Sequence, residues 1–299
     1  MNSFIFSFKI YVMVFISISF LFLIIFIIGS EILLKHKVSE NNHYENVRNN
    51  LWNGKKKYVV FGDSRALDGI NENAFLTNFS LQGNNLETIL AMADFHLKMN
   101  NIKTIVLQAD PHFFAMYRLS KNQDHLIDDL IKKRRFSFML LRPQYRQYIL
   151  EYWSNYFQNF FKKNINYNNK MKINKNNMLN DQKTVQIRVD TQIPIKNFSK
   201  TIQFLKFKNF IDTIKKSGVN LCMVSLPVSL LYKNKALKYK SYKSFFSFLK
   251  KLADENNIIY KNYFNRFTNI YFKDADHLNR NGSKLLTKLV LSDCLGIKN

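Results

Sequence analysis

The first patterned stretch of the chain is apolar without interruption. Ile10 to Ser30 holds no charged residue and is built mostly of Ile, Phe, Leu and Val. A helix rises about 1.5 Å per residue, so some 20 such residues cross a hydrocarbon layer about 30 Å thick. Residues 1–34 therefore read as an N-terminal membrane anchor. A cleaved signal peptide would have a shorter apolar core and a small-x-small cleavage site, and Gly29-Ser30-Glu31 is a poor match. Residues 35–57 turn polar and Asn-rich and read as a stalk. Lysines flank the apolar run on both sides, at Lys9 and at Lys35 and Lys37, so charge bias gives no orientation.

From Tyr58 onward, short apolar runs alternate with helical spacing. Tyr58–Phe61, Asn78–Leu81, Thr104–Leu107, Val219–Leu226 and Ile258–Tyr260 have the length and residue types of buried strands. Leu86–Met99, Ser199–Lys216, Lys238–Asn256 and Asn281–Ser292 have the spacing of helices, and Gly218 suits a helix stop. Phe136–Phe161 is aromatic and reads as helical. Residues 162–183, dominated by Asn and Lys, read as a mobile insertion. Strand and helix in alternation predict an α/β domain over residues 58–299, with a doubly wound, mostly parallel sheet covered on both faces. In such folds, ligands bind at the carboxyl ends of the strands.

Composition changes this picture only in part. The chain has 299 residues, 46% of them hydrophobic, which is ample for a core. The formal net charge of +24 favours anionic surroundings such as lipid headgroups or acidic polysaccharide. The lysines are scattered among Asn and Ile, and no zinc-finger, zipper or RNP-like pattern accompanies them, so no nucleic-acid partner is expected. Neither Cys222 nor Cys294 belongs to a metal-ligand spacing, so no metal or other cofactor is expected. A disulfide between them has no support from spacing.

Three segments carry candidate chemistry. Gly62-Asp63-Ser64 follows the first strand, where a strand-to-helix turn exposes a serine hydroxyl and where Gly62 permits a tight exit. Asp274-Ala275-Asp276-His277 precedes the last helix. A serine needs a base, an imidazole suits that work, and a carboxylate must fix the imidazole's tautomer. Asp274, three residues before His277, can fold back onto it, with Asp276 as a rival. After the second strand, Gly83 can bring its N–H towards an oxyanion beside the Ser64 amide, while Asn85 can donate from its side chain or cap the next helix. A plain turn explains that last segment equally well.

The order of these segments resembles the SGNH, or GDSL-type, hydrolase superfamily, with motif matches at the two ends of residues 58–292 and at Gly83. The resemblance implies an SGNH, flavodoxin-like fold. It implies Ser64 as nucleophile, Asp274 and His277 as its partners, and Ser64, Gly83 and Asn85 around the oxyanion. Together with the single anchor, the run Asp274–Gly282 is similar to an envelope branch that acts in alginate O-acetylation and teichoic-acid D-alanylation. That likeness implies a single-pass protein of the inner (plasma) membrane, its domain on the periplasmic or extracytoplasmic side. It implies transfer of a small acyl group, acetyl above all, to or from an anionic or neutral cell-envelope polysaccharide. The implied partners are the bilayer and a polytopic membrane acyltransferase that supplies the acyl group. Ester hydrolysis, or a polymer-binding module without catalysis, are the alternatives. One departure stands out. The superfamily commonly places Gly-x-Asn-Asp after the third strand, whereas this chain has Gln108-Ala109-Asp110-Pro111-His112. An ionised Asp110 facing an oxyanion would repel it, so either Gln108, Asn84 or Asn85 substitutes, or Asp110 points away, or the reaction is slow; His112 is a second base or a solvated loop residue.

Overall fold

The computed structural model describes residues 2–39, 43–132, 150, 153–154 and 181–297. The chain divides into two compact units, Met1–Glu45 with Lys132–Met171, and Asn46–Ile131 with Lys172–Asn299. The first unit contains helix α1, Asn2–Ser39. Within it, Ile10–Leu34 forms a 25-residue span, long and apolar enough to cross a membrane and exposed from Ile10 to Ile28. The aromatic helix expected over 136–161 and most of the insertion expected over 162–183 lie outside the described residues.

In the second unit, five strands form one parallel sheet: β1 (Tyr58–Phe61), β2 (Leu76–Asn78), β3 (Thr104–Gln108), β4 (Asn220–Ser225) and β5 (Ile259–Asn262), in the order β2-β1-β3-β4-β5. Tyr58 pairs with Thr104, and Gln108 with Val224, so the sheet is in register through its centre. The α/β class and parallel sheet are those the alternating pattern predicts. Each central strand is short, apolar and buried on both faces, as a covered parallel sheet requires. The helices of this unit are α2 (His43–Asn53, which begins at the unit boundary), α3 (Ser64–Gly69), α4 (Leu86–Met99), α5 (Met116–Leu119), α6 (Asp124–Ile131), α7 (Gln182–Thr191), α8 (Ile202–Ser217), α9 (Leu230–Ala236), α10 (Lys240–Asn256) and α11 (Arg280–Leu295).

The differences from expectation have local causes. The polar segment read as a stalk contains α2, whose Val47 and Leu51 are buried, and Trp52 donates from its indole to the Leu130 carbonyl at 3.1 Å. Strand β2 ends at Asn78, whose side-chain amide donates to the Ala66 and Ile70 carbonyls while its oxygen accepts from the Ser80 N–H. The strand proper stops there, although the Phe79 and Leu81 amides still donate to the Val60 and Gly62 carbonyls, at 2.8 and 3.3 Å. Helix α7 begins inside the segment read as insertion, because Asp181 caps it and Val185 and Val189 bury its inner face. Cys222 and Cys294 form a disulfide between β4 and α11. Both lie in one core cluster with Val60, Val106 and Val290. Two cysteines with no spacing rule between them meet because β4 and α11 pack together.

The strand order reverses between β1 and β3: the chain steps from β1 out to β2, then returns across β1 to β3. A crevice at the carboxyl ends of β1 and β3 follows from that reversal. Ser64 follows β1 and Asp110 follows β3, so the topology alone brings both segments to one place.

Candidate active site

Ser64 opens α3, and the Asp63 side chain caps that helix by accepting from the Arg65 N–H at 3.0 Å. Gly62 does not adopt a positive φ. Its role is close approach: a Cβ there would collide with Gln108 Oε1 and Ala66 Cβ. Gln108 uses that space to accept from the Asp63 N–H at 2.8 Å and to donate to Asp63 Oδ1 at 3.0 Å and Asp110 Oδ2 at 2.7 Å.

His277 stands on a loop after β5 rather than at a strand end. An isolated bridge between Phe272 and Leu278 closes this loop, and Asn279 caps α11 by accepting from the Asn281 and Gly282 amides. Across 213 residues of chain, His277 Nε2 lies 3.0 Å from Ser64 Oγ. On the ring's other side, Nδ1 lies 3.0 Å from each carboxylate oxygen of Asp274. Asp274 Oδ1 also accepts from the backbone amides of Asp276 and His277, at 3.1 and 2.9 Å, which fixes the carboxylate. With Nδ1–H donating to Asp274, Nε2 is left as the acceptor for the Ser64 hydroxyl. Burial would push the Asp274 carboxyl up, but its hydrogen bond to His277 and the charge there hold it below the usual carboxylate range.

Asp276, the rival, is fully buried and lies farther from Nδ1, at 3.4 Å. Its Oδ2 accepts from Arg65 Nε at 2.9 Å, Arg65 Nη2 at 2.7 Å and Gln192 Nε2 at 3.3 Å, and its Oδ1 pairs with Arg188 Nε at 2.6 Å. Burial would raise its pKa, but Arg65 and Arg188 hold it far below the usual range. Asp274, Asp276 and His277 could geometrically hold a metal ion, yet the two guanidiniums already answer the Asp276 charge. Arg65, the residue after Ser64, thus binds the Ser64 turn to the His277 loop.

After β3, Asp110 turns away, as one reading of the sequence allows, while His112 departs from expectation. Asp110 is buried and turned inward, where its Oδ1 accepts from the Leu226 N–H at 2.9 Å and Gln108 donates to its Oδ2. Burial pushes its pKa up to about 6, against the opposing pull of Arg65 and these hydrogen bonds. His112 is not a solvated loop histidine. It is buried, with Nε2 2.8 Å from Asp63 Oδ2. Burial and Arg65 push its pKa down to about 4. At neutral pH it is uncharged and donates a hydrogen bond, while Arg118, 2.9 Å from the same oxygen, supplies the counter-charge. Burial would raise Asp63, but His112, Arg118 and Arg65 hold it far below the usual range.

On the other wall, Gly83 takes the left-handed conformation at φ 75°, its carbonyl accepting from Lys121 Nζ at 2.9 Å. The Leu81 N–H donates to the Gly62 carbonyl at 3.3 Å, which ties this loop to the Ser64 turn. The amides of Ser64 and Gly83 have no hydrogen-bond partner among the described residues. The expectation that Asn85 donates to an oxyanion is corrected. Its Oδ1 caps α4 by accepting from the Thr88 N–H, and its Nδ2 donates to the Lys121 carbonyl at 2.7 Å. The Asn84 amide is buried against the Met92 sulfur, so neither asparagine takes the place of the missing one. Sequence reasoning missed Arg65, Arg188, Gln192 and Arg118. A charged residue directly after the candidate nucleophile was the one visible signal.

No protein-family model matches the chain, and no curated protein matches it. Among solved structures, a candidate acylhydrolase from Bacteroides fragilis is similar at a TM-score of 0.45 and 13% identity, over 84% of this chain and 94% of that one. A GDSL-like lipase from Bacteroides thetaiotaomicron is similar at a TM-score of 0.43 and 11% identity, over 83% and 95%. At such scores the chemistry of this chain rests on its own geometry.

Proposed function

We propose that the chain is a membrane-anchored serine enzyme of SGNH type that transfers a small acyl group, acetyl above all, to or from a cell-envelope polysaccharide. The observation that carries the reading is the relay Ser64 Oγ–His277 Nε2–Nδ1–Asp274, each link 3.0 Å, at the β1/β3 reversal. In the first step Ser64 Oγ attacks the acyl carbonyl and its proton passes to His277 Nε2. The imidazolium is stabilised by Asp274, and the oxyanion rests on the Ser64 and Gly83 amides. Collapse expels the leaving alkoxide, which takes the proton from His277, and leaves acyl-Ser64. A sugar hydroxyl then gives its proton to His277 and attacks the acyl carbonyl, and collapse breaks the bond to Ser64, whose oxygen takes the proton back from His277. Water in its place gives hydrolysis.

With an activated acetyl ester, intact-protein mass spectrometry should find one acetyl group on Ser64 and none in Ser64→Ala. Acetylation that persists in that variant overturns the mechanism. Chasing labelled acetyl-enzyme with oligosaccharide separates transfer from hydrolysis by whether label reaches sugar or only water.

The location proposed is the extracytoplasmic face. The Ile10–Leu34 span supports the anchor, and the Cys222–Cys294 disulfide supports an oxidising compartment, where charge bias gives no orientation.

A further inference from the structure

The geometry points to Arg188 as the residue that reads an anionic group on the substrate, a carboxylate or a phosphate beside the acyl centre. This inference rests on the acyl-transfer reading of Ser64.

Arg188 projects from α7, which buried Val185 and Val189 hold in place on either side of it. Its guanidinium touches the site through one edge. Nε pairs with Asp276 Oδ1 at 2.6 Å, and Nη2 lies 3.5 Å from His277 Nδ1. The second contact supplies no acceptor, because Nδ1 carries the proton that faces Asp274. Nor is a carboxylate left over. Asp276 Oδ2 is taken by both Arg65 nitrogens and Gln192, and Asp274 is taken by the imidazole and two backbone amides. The terminal nitrogens of Arg188 therefore keep N–H donors that no described residue satisfies.

Exposure separates the two arginines that share Asp276. The Arg65 side chain is 3% exposed and is spent inside the site, on Asp276 at 2.7 Å and Asp110 at 3.7 Å. The Arg188 side chain is 38% exposed, next to a His277 ring that is 12% exposed. A planar guanidinium held by its Nε edge offers paired terminal N–H groups, which suits an oxyanion with two accessible oxygens. A ligand group there would sit directly beside the proton-transfer pair, so binding it would also position the acyl carbonyl against Ser64.

The test uses the full chain in detergent with three acetyl esters: O-acetylated glucuronate, O-acetylated glucose and O-acetylated glycerol 3-phosphate. Wild type should favour at least one anionic ester over the neutral one by about tenfold or more in kcat/KM, the scale of one charge-assisted hydrogen bond. Arg188→Gln should bring that ratio towards one, and Arg188→Lys should keep part of it. The glucuronate and phosphate arms identify which oxyanion is read. A second measurement needs only wild type: free glucuronate or glycerol 3-phosphate should protect Ser64 from an activated ester better than glucose does. A wild-type ratio near one, or a ratio unchanged in Arg188→Gln, overturns the assignment while the acyl-enzyme stands. Failure of every ester to acylate Ser64 removes the parent reading and this inference with it.

Discussion

Two carboxylates stand beside His277 Nδ1, and their surroundings give them different work. Asp274 meets the imidazole with both oxygens, and its side chain is 29% exposed. Asp276 is fully buried between two guanidiniums. Substituting Asp274→Asn keeps the shape but disturbs the tautomer that leaves Nε2 free. The expected loss is about 10³- to 10⁴-fold in the rate of Ser64 acylation, with little change in thermal stability. Asp276→Asn should act in the opposite order. It leaves Arg65 buried without its main counter-charge, a loss of about 3 to 5 kcal/mol on the scale of a broken buried ion pair. Thermal unfolding and single-turnover acylation, measured on both variants, check the assignment. A stable but inactive Asp276→Asn beside a fully active Asp274→Asn would exchange the two roles. The sequence offered both aspartates at plausible spacing and could not choose between them. The choice depends on Arg65 and Arg188, which lie 211 and 88 positions from Asp276 along the chain and whose contacts leave no periodic signature.

The turn from β1 into α3 shows how an element carries the site. Its glycine is required by space rather than by φ, since Gln108 passes where a Cβ would stand on its way to the Asp63 N–H. Gly62→Ala should therefore displace Gln108, lower stability by about 1 to 3 kcal/mol and slow acylation. Gly218 supplies the contrast. It ends α8 at φ 71°, and a Cβ added there would meet nothing within 4 Å, so Gly218→Ala should cost only the left-handed conformation, about 1 to 2 kcal/mol, with acylation unaffected. Denaturant midpoints and acylation rates of both variants test this, and a Gly62→Ala enzyme as fast and stable as wild type would refute it. Elements with a strong period are legible in the sequence. Leu86–Met99 is α4 to the residue, and the buried runs of β1, β3 and β4 stand within two residues of their expected ends. Helix α7 is not legible. Only Val185 and Val189 mark its inner face, and its first two residues fall in the Asn- and Lys-rich run read as insertion. Yet α7 brings Arg188 to the site, and Gln192 just past its end, so the element with the weakest pattern holds the candidate specificity residue.

At the scale of the whole molecule, the proposed extracytoplasmic location can be tested through the two cysteines. Lysines on both flanks of the apolar span give opposing votes. The disulfide adds an independent one. It links β4 to α11 across a sequence separation of 72 residues inside the core. Closing a loop of that length restrains the unfolded chain by about 4 kcal/mol on a chain-entropy scale, a large share of the stability of a single domain. A protein that folds where thiols stay reduced would forgo that contribution and place two free thiols in its core. The expected result is that maleimide leaves both cysteines unlabelled when added to denatured, unreduced membranes whose thiols were trapped at lysis, and labels both after reduction. Cys222→Ser with Cys294→Ser should lower the unfolding temperature without abolishing acylation, because neither sulfur lies in the relay. Labelling of both cysteines without reduction would place the domain in a reducing compartment. An acceptor exposed on the cell surface would then be out of reach of Ser64, and the polysaccharide half of the proposed function would fall while the acyl-enzyme chemistry remained.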